Sequence, residues 1–242
     1  MVGVLGGLVG LGGAEFRLPL LLALGYAALA AVIVNKVASL VVVLAAIPAR
    51  LTAVPLGDVA GEWTAVLNLL VGSLVGAWLG ASWATRMATA TLYRVLAVLL
   101  VVIATVFAAE RFSPLPALEL SQPVQMVAGV VAGFGIGVVA ALMGVAGGEL
   151  LIPAFVLLFA TDTKLAGSLS LLVSLPTMLV AFFRYSRDQA FVVLSAHRQF
   201  VVALMVGSVV GGFLVGIVPE TVIVPLLVAL LLFSSVKVWR HT

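Results

Sequence analysis

The chain has 242 residues, of which 64% are hydrophobic and 9% are charged, and its formal net charge is +3. Charged residues make up roughly 25% of a soluble globular domain, so this composition excludes a soluble protein. The small positive charge gives no indication of nucleic-acid binding, and no nucleic-acid partner is expected. The sequence has no cysteine, which excludes disulfides, thiolate catalysis and iron–sulfur ligation in this chain.

Long uncharged stretches predict transmembrane helices. A spanning helix needs about 20 predominantly apolar residues. Uncharged stretches of about this length cover 63–85, 120–148, 165–183 and 199–219. Their apolar residues are continuous rather than alternating, which disfavours strands. The sequence therefore predicts an all-α, polytopic membrane protein that lies in a lipid bilayer.

In chain order, ten helical segments are predicted, five in each half. Those of the first half are 2–12, 15–26, 27–49, 63–85 and 88–108, and those of the second half are 123–145, 149–160, 164–185, 199–218 and 221–238. The second segment of each half has about a dozen residues, too few to cross a 30 Å hydrocarbon core, and is predicted to be a half-helix. The polar, proline-containing stretch 110–122 is the predicted linker between two transmembrane repeats, 1–109 and 123–242.

The two halves share a motif that precedes each half-helix. Residues 10–19 read GLGGAEFRLP and residues 144–153 read GVAGGELLIP, a match at a constant offset of 134. After one inserted residue the match resumes at an offset of 135, where VGSLVG at 71–76 corresponds to VGSVVG at 206–211. We therefore predict a tandem duplication, in which each copy has about four transmembrane helices and one half-helix.

The distribution of charge predicts how the repeats are oriented. Arginine and lysine cluster after residue 85, after residue 183 and at the C-terminus, which the positive-inside rule places in the cytoplasm. The loop 50–62 carries acids and is predicted outside, whereas its repeat equivalent 184–198 is predicted inside. Equivalent loops on opposite sides indicate inverted repeats, and a parallel four-plus-four duplication is the alternative. We expect a multi-pass protein of the plasma (inner) membrane with both termini cytoplasmic.

The glycine breaks before the half-helices are the first candidate site. Free N–H groups at a helix N-terminus bind anions, and matching breaks in two halves are typical of the substrate site of a transporter. Each break is followed by an acid, Glu15 or Glu149, which is predicted to bind a coupling proton, with orientation of the break through hydrogen bonds as the alternative. The glycines predicted to bind substrate are Gly12, Gly13, Gly147 and Gly148.

Polar residues in the helix after each break are the second candidate site. Lys36 lies in the middle of an apolar segment beside Asn35 and Ser39, and its charge suits an anionic substrate. The alternative is a snorkelling lysine, or one paired with Glu15 or Glu149. The matching region of the second half carries hydroxyl groups, which donate either to an anion or to their own helix backbone. The substrate-binding serines predicted there are Ser168, Ser170 and Ser174.

Other patterns predict packing and exclude catalysis. Rows of glycines spaced four residues apart are predicted to be helix-packing surfaces, at Gly72, Gly76 and Gly80 and at Gly129, Gly133 and Gly137. No phosphate-binding Walker loop, nucleophile elbow or pair of catalytic carboxylates is present, and the only histidines are His197 and His241. The sequence therefore predicts no catalytic residue, no metal ligand and no cofactor.

The duplicated small-x-Gly-Gly break with its following proline, together with AGSLSLLVSLPTMLVAFFRY at 166–185, resembles the sulfite exporter TauE/SafE family of membrane permeases. The resemblance covers 1–239. It implies an integral plasma-membrane transporter that moves sulfite, sulfonates and related small anions, generally outward. An anion channel and a non-transport intramembrane enzyme or assembly factor are the alternatives. An enzyme should show a catalytic pair or metal ligands, whereas this sequence offers lone acids.

Overall fold

The computed structural model describes residues 14–53, 59, 61–112, 118, 120–196 and 198–213. In this part of the chain all regular structure is helical and there is no strand. Four helical stretches are long and apolar enough to cross a membrane: Ala28–Ala45, Trp63–Arg86, Gln122–Met143 and Thr163–Tyr185. The predicted all-α, polytopic class is confirmed.

The helices are numbered here in chain order. They are α1 (Ala14–Ala23), α2 (Ala28–Ala53), α3 (Trp63–Arg86), α4 (Thr89–Phe112), α5 (Gln122–Met143), α6 (Gly148–Phe159), α7 (Thr163–Tyr185), α8 (Val193–Ala196) and α9 (Arg198–Phe213), with a 3₁₀ turn at Gln189–Val192. The predicted boundaries agree to within a few residues. The predicted segments 2–12 and 221–238 lie outside the described residues.

The two predicted half-helices are short helices in the structure. With 10 and 12 residues, α1 and α6 extend about 15 and 18 Å, less than a 30 Å hydrocarbon core. Each contains a proline at the corresponding place, Pro19 in α1 and Pro153 in α6. The next helix begins soon after α6. The side chain of Asp162 accepts hydrogen bonds from the amides of Lys164 and Leu165 and so caps the start of α7.

Glycine rows bring α3 and α5 into backbone contact. A Cβ on Gly72 would overlap the carbonyl of Val130, and one on Gly76 would overlap that of Phe134. On α5, a Cβ on Gly133 or Gly137 would overlap the backbone of α3 in the same way, and one on Gly129 would overlap the side chain of Asn68 on α3. The predicted packing role of both rows is confirmed.

Hydrogen bonds between helix ends show that α3 and α7 run in the same direction. Arg184, near the end of α7, donates from Nε to Ser82 Oγ at 2.9 Å and from Nη2 to Thr85 Oγ1 at 3.1 Å. Both acceptors lie in the last turn or two of α3. The segments that follow these two helices therefore lie at the same end of the bundle.

Helix α2 runs in the opposite direction to α7. Tyr93, near the start of α4, donates from its hydroxyl to the carbonyl of Tyr26, just before α2, at 3.2 Å. Because α4 starts shortly after α3 ends, α2 starts at the end of the bundle where α3 and α7 finish. The sequence predicts α2 and α7 to be repeat partners, and inverted repeats require such partners to be antiparallel. The duplication itself stays a prediction.

Candidate functional site

The backbone between α5 and α6, residues 144–147, is an irregular segment that we call the second break. Gly144 has a φ of 70°. The Gly144 amide donates to the carbonyl of Ala141, and the Val145 amide donates to the carbonyl of Ala140, both at 3.1 Å. This is the Schellman arrangement that ends a helix on a left-handed residue, a conformation suited to glycine. Gly147 has a φ of 81° and starts α6.

The second break lies within the thickness of the bundle. A Cβ built on Gly148, the first residue of α6, would be 3.8 Å from Ser170 Oγ. Ser170 is in the second turn of α7, about 10 Å from the start of that helix. Irregular backbone at such a depth must find hydrogen-bond partners inside the protein.

One turn of α2 supplies those partners. Asn35 Nδ2 donates to the carbonyl of Met143 at 3.0 Å and to that of Ala14 in α1 at 3.0 Å. Ser39 Oγ donates to the carbonyl of Gly144 at 3.2 Å. Carbonyls at the C-terminal end of a helix have no partner within it, so Asn35 and Ser39 supply Met143 and Gly144 with donors that α5 itself lacks.

Lys36 also binds the second break. Its Nζ donates to the carbonyl of Ala140 at 2.8 Å and to that of Val145 at 2.6 Å, and the residue is 1% exposed. A cation at the C-terminal end of α5 interacts favourably with the helix dipole. Both acceptors are neutral carbonyls, and together they take two of the three N–H donors of an ammonium group.

Arg17 belongs to the same network, although the sequence analysis did not include it in the site. Arg17 is 0% exposed, and it donates from Nε to Asn35 Oδ1 at 3.1 Å and from Nη2 to Ser39 Oγ at 2.6 Å. The signal was present in the sequence, because an arginine in a short apolar helix bears the same cost of burial as Lys36.

The three serines predicted on α7 are all buried, but their surroundings differ. Ser170 Oγ donates to the carbonyl of Gly167 at 2.9 Å, which is a bond within its own helix. Ser168 Oγ and Ser174 Oγ have no hydrogen-bond partner among the described residues. One turn beyond Ser174, Thr177 Oγ1 lies 2.7 Å from Ser73 Oγ of α3, a contact that the sequence analysis missed.

The acids and the first break are described only in part. Gly12 and Gly13 lie outside the described residues, and so does the side chain of Glu15, whose backbone is in the first turn of α1. Glu149 is in the first turn of α6 and is 7% exposed. A carboxylate there is favoured by the helix dipole. The structure thus brings Asn35, Lys36 and Ser39 onto the second break, while the substrate and proton roles remain predictions.

A comparison with protein families identifies the chain. The family model described as Sulfite exporter TauE/SafE matches residues 1–239, and the chain belongs to this family. It is a family of membrane transporters and not of enzymes. No curated protein and no solved structure matches the chain.

Proposed function

We propose that this member of the TauE/SafE family is a secondary transporter that carries small oxyanions, sulfite or organosulfonates, across the plasma membrane through a site at the second break. One observation supports the location above all others. Three polar side chains, Asn35, Lys36 and Ser39, donate to backbone carbonyls at and beside irregular backbone inside an apolar bundle. Arg17 donates to two of these side chains. Such backbone at membrane depth is typical of a transporter's substrate site.

The anion ligands in this proposal are neutral donors. Gly147 and Gly148 start α6, where backbone N–H groups point towards an anion and no Cβ blocks its approach. The hydroxyls of Ser168 and Ser174 are buried donors with no described partner, and Ser170 lies beside Gly148. Sulfite and sulfonate oxygens accept several hydrogen bonds, so they suit such a set of donors. Gly12 and Gly13 form the corresponding part of the first break.

The α2 residues have a supporting role in the same proposal. Asn35 and Ser39 hold the carbonyls of Met143 and Gly144, at the end of α5 and the start of the second break, which keeps α6 in place to receive the anion. Lys36 holds two further carbonyls and adds positive charge to the interior. In apolar surroundings that charge is weakly screened and attracts the anion over several ångströms.

Proton coupling is the finer part of the proposal and rests on Glu149, with Glu15 as its counterpart in the first half. Glu149 is buried in the first turn of α6, next to the proposed anion ligands. A proton bound by this carboxyl group would reduce the repulsion between the acid and an incoming anion. The orientation with both termini in the cytoplasm is part of this proposal as well.

Flux into proteoliposomes tests the proposal. The purified protein should take up labelled sulfite or methanesulfonate at a rate that saturates with concentration, and an imposed pH gradient should change that rate. Flux that rises linearly without saturation would favour the anion channel. A rate that does not respond to the gradient would remove proton coupling, and absence of flux for every oxyanion would overturn the transporter proposal.

A further inference from the structure

Arg17 determines which way Asn35 and Ser39 donate their hydrogen bonds. A guanidinium group only donates hydrogen bonds, so Asn35 Oδ1 and Ser39 Oγ act as its acceptors. Because Asn35 Oδ1 accepts from Arg17, the Nδ2 group of Asn35 faces backbone carbonyls and donates to that of Met143. Ser39 has a single hydroxyl hydrogen, which it directs to the carbonyl of Gly144. Two chains of hydrogen bonds therefore run from Arg17, one through Asn35 to the end of α5 and one through Ser39 to the second break.

This route joins the two halves of the chain. Arg17 lies on α1, Asn35 and Ser39 lie on α2, and the carbonyls of Met143 and Gly144 lie at the end of α5 and in the second break. We propose that Arg17 is a positioning residue that ties α1 to the second break, so that the two move as one unit when the transporter changes conformation. The inference rests on the proposed function only for its effect on transport.

The second half has no arginine at the position that corresponds to Arg17. At the offset of 134, the counterpart of Arg17 in α6 is Leu151, which is buried and apolar. The counterparts of Asn35 and Ser39 in α7 are Ser170 and Ser174. A leucine offers no donor to a serine, so Leu151 cannot do in the second half what Arg17 does in the first.

Accessibility of a cysteine placed in the second break tests this inference, since the chain has none of its own. Ala146 is 5% exposed, and an Ala146→Cys reporter should react slowly with a small thiol reagent in the purified protein. Adding Arg17→Met should speed the reaction roughly tenfold or more, because hydrogen bonds from a charged group are lost at a buried site. Leu151→Met is the matched substitution and should leave the rate unchanged.

A second reporter separates a local effect from general loosening. Ala77 is buried in α3, and an Ala77→Cys reporter should stay protected in every variant. If Arg17→Met also exposes Ala77→Cys, Arg17 serves only to stabilise the fold and the inference is overturned. It is also overturned if the Ala146→Cys rate does not change.

Milder variants are available if Arg17→Met does not fold. Arg17→Lys keeps the charge but lacks the planar fork, and Ser39→Ala removes one acceptor. Each should speed labelling of Ala146→Cys, and together they should do less than their separate effects combined, because they break the same connection. Full additivity, or no effect of either, contradicts the inference.

A transport measurement adds the functional readout. Arg17→Lys should lower kcat more than it changes KM, because the residue is proposed to act on movement and touches no substrate. An equal effect of Arg17→Lys and Leu151→Met on kcat would overturn this. The labelling experiment uses no substrate, so failure of oxyanion flux together with faster labelling would reject the proposed function and retain Arg17 as a positioning residue.

Discussion

Arg17 and Lys36 are two cations in the interior of an apolar bundle, at 0% and 1% exposure. Burial of a charge costs several kcal/mol unless hydrogen bonds compensate for lost water. Both side chains donate to protein oxygens, and Lys36 donates to one carbonyl in the last turn of α5 and to one in the second break. The cations and the irregular backbone therefore stabilise each other.

Replacement of Lys36 by methionine should reduce the stability of the folded protein. The stem is retained while the carbonyls of Ala140 and Val145 lose the ammonium donor, so we expect a loss of about 2–4 kcal/mol and a lower melting temperature in detergent. Lys164→Met, at an exposed lysine at the start of α7, is the control and should have little effect. An unchanged melting temperature for Lys36→Met would show that the ammonium does not hold the second break.

Ser174 and Ser170 offer a matched pair for substrate binding. Ser174 is fully buried and its hydroxyl has no described partner, whereas that of Ser170 bonds its own helix. Ser174→Ala should weaken anion binding about three- to tenfold, the effect of one hydrogen bond, without loss of stability. Ser170→Ala should have a smaller effect on affinity. Calorimetry with sulfite on both variants measures this, and equal affinities would remove Ser174 from the proposed site.

At this scale the sequence predicted which residues are unusual but not what they contact. Lys36 stands out because a mid-segment lysine is rare in a membrane helix. Its acceptors are backbone carbonyls at the end of α5 and in the second break, and backbone groups leave no mark in a sequence. Arg17 stands out in the same way, but Asn35 and Ser39 lie 18 and 22 residues away from it, and only packing brings them together.

At the scale of elements, α6 is short because glycine conformations fix its start and a left-handed residue follows its end. Gly144 and Gly147 have positive φ, and so does Ala160, the residue after α6. Gly144 also has no room for a side chain, because a Cβ would overlap the carbonyl of Val32 on α2. The second break is thus fixed both by backbone conformation and by contact with α2.

The effect of replacing a glycine by alanine should depend on the space available for a Cβ at that position. Gly144→Ala should displace α2 and abolish transport, whereas Gly147→Ala meets only side-chain carbons at 3.1 and 3.4 Å and should cost about 1–2 kcal/mol of left-handed strain. Gly135→Ala on α5 faces open space and should be neutral. Flux and melting temperature of the three purified variants measure the order. A Gly144→Ala variant with normal flux would contradict the described packing.

The positions of the long helices were largely predictable from the sequence, and the helical segments of four residues were not. Continuous apolar runs and glycine breaks predicted α1 to α7 to within a few residues. The 3₁₀ turn at Gln189–Val192 and the one-turn helix α8 lie in a segment that was predicted as a loop. Pieces of four residues are too short to show a helical period, so their conformation depends on what they pack against.

At the scale of the whole molecule, the segments after α3 and after α7 lie at one end of the bundle. The arginine bias predicted that these two segments share a side, and the hydrogen bonds of Arg184 agree with a common end of the bundle. The antiparallel relation of α2 and α7 agrees with inverted repeats. The compartment that the shared end faces is proposed to be the cytoplasm.

Single cysteines can test the topology in this cysteine-free chain. Ala88→Cys, after α3, and Ser186→Cys, after α7, are at exposed positions and should react only when the reagent reaches the cytoplasm. Gly61→Cys, at the opposite end of α3, should react from outside. Reaction of Ala88→Cys and Ser186→Cys on opposite sides would contradict the fold, and reaction of both from outside would contradict the proposed orientation.

The central claim is that the chain carries an oxyanion through an interior site that opens to one side at a time. Counterflow tests this most directly, because proteoliposomes loaded with unlabelled sulfite and diluted into trace labelled sulfite distinguish a carrier from a pore. A carrier should accumulate label transiently above its external concentration, since internal sulfite returns the site to the outside. Equilibration of label without overshoot, at a rate independent of internal sulfite, would contradict the account.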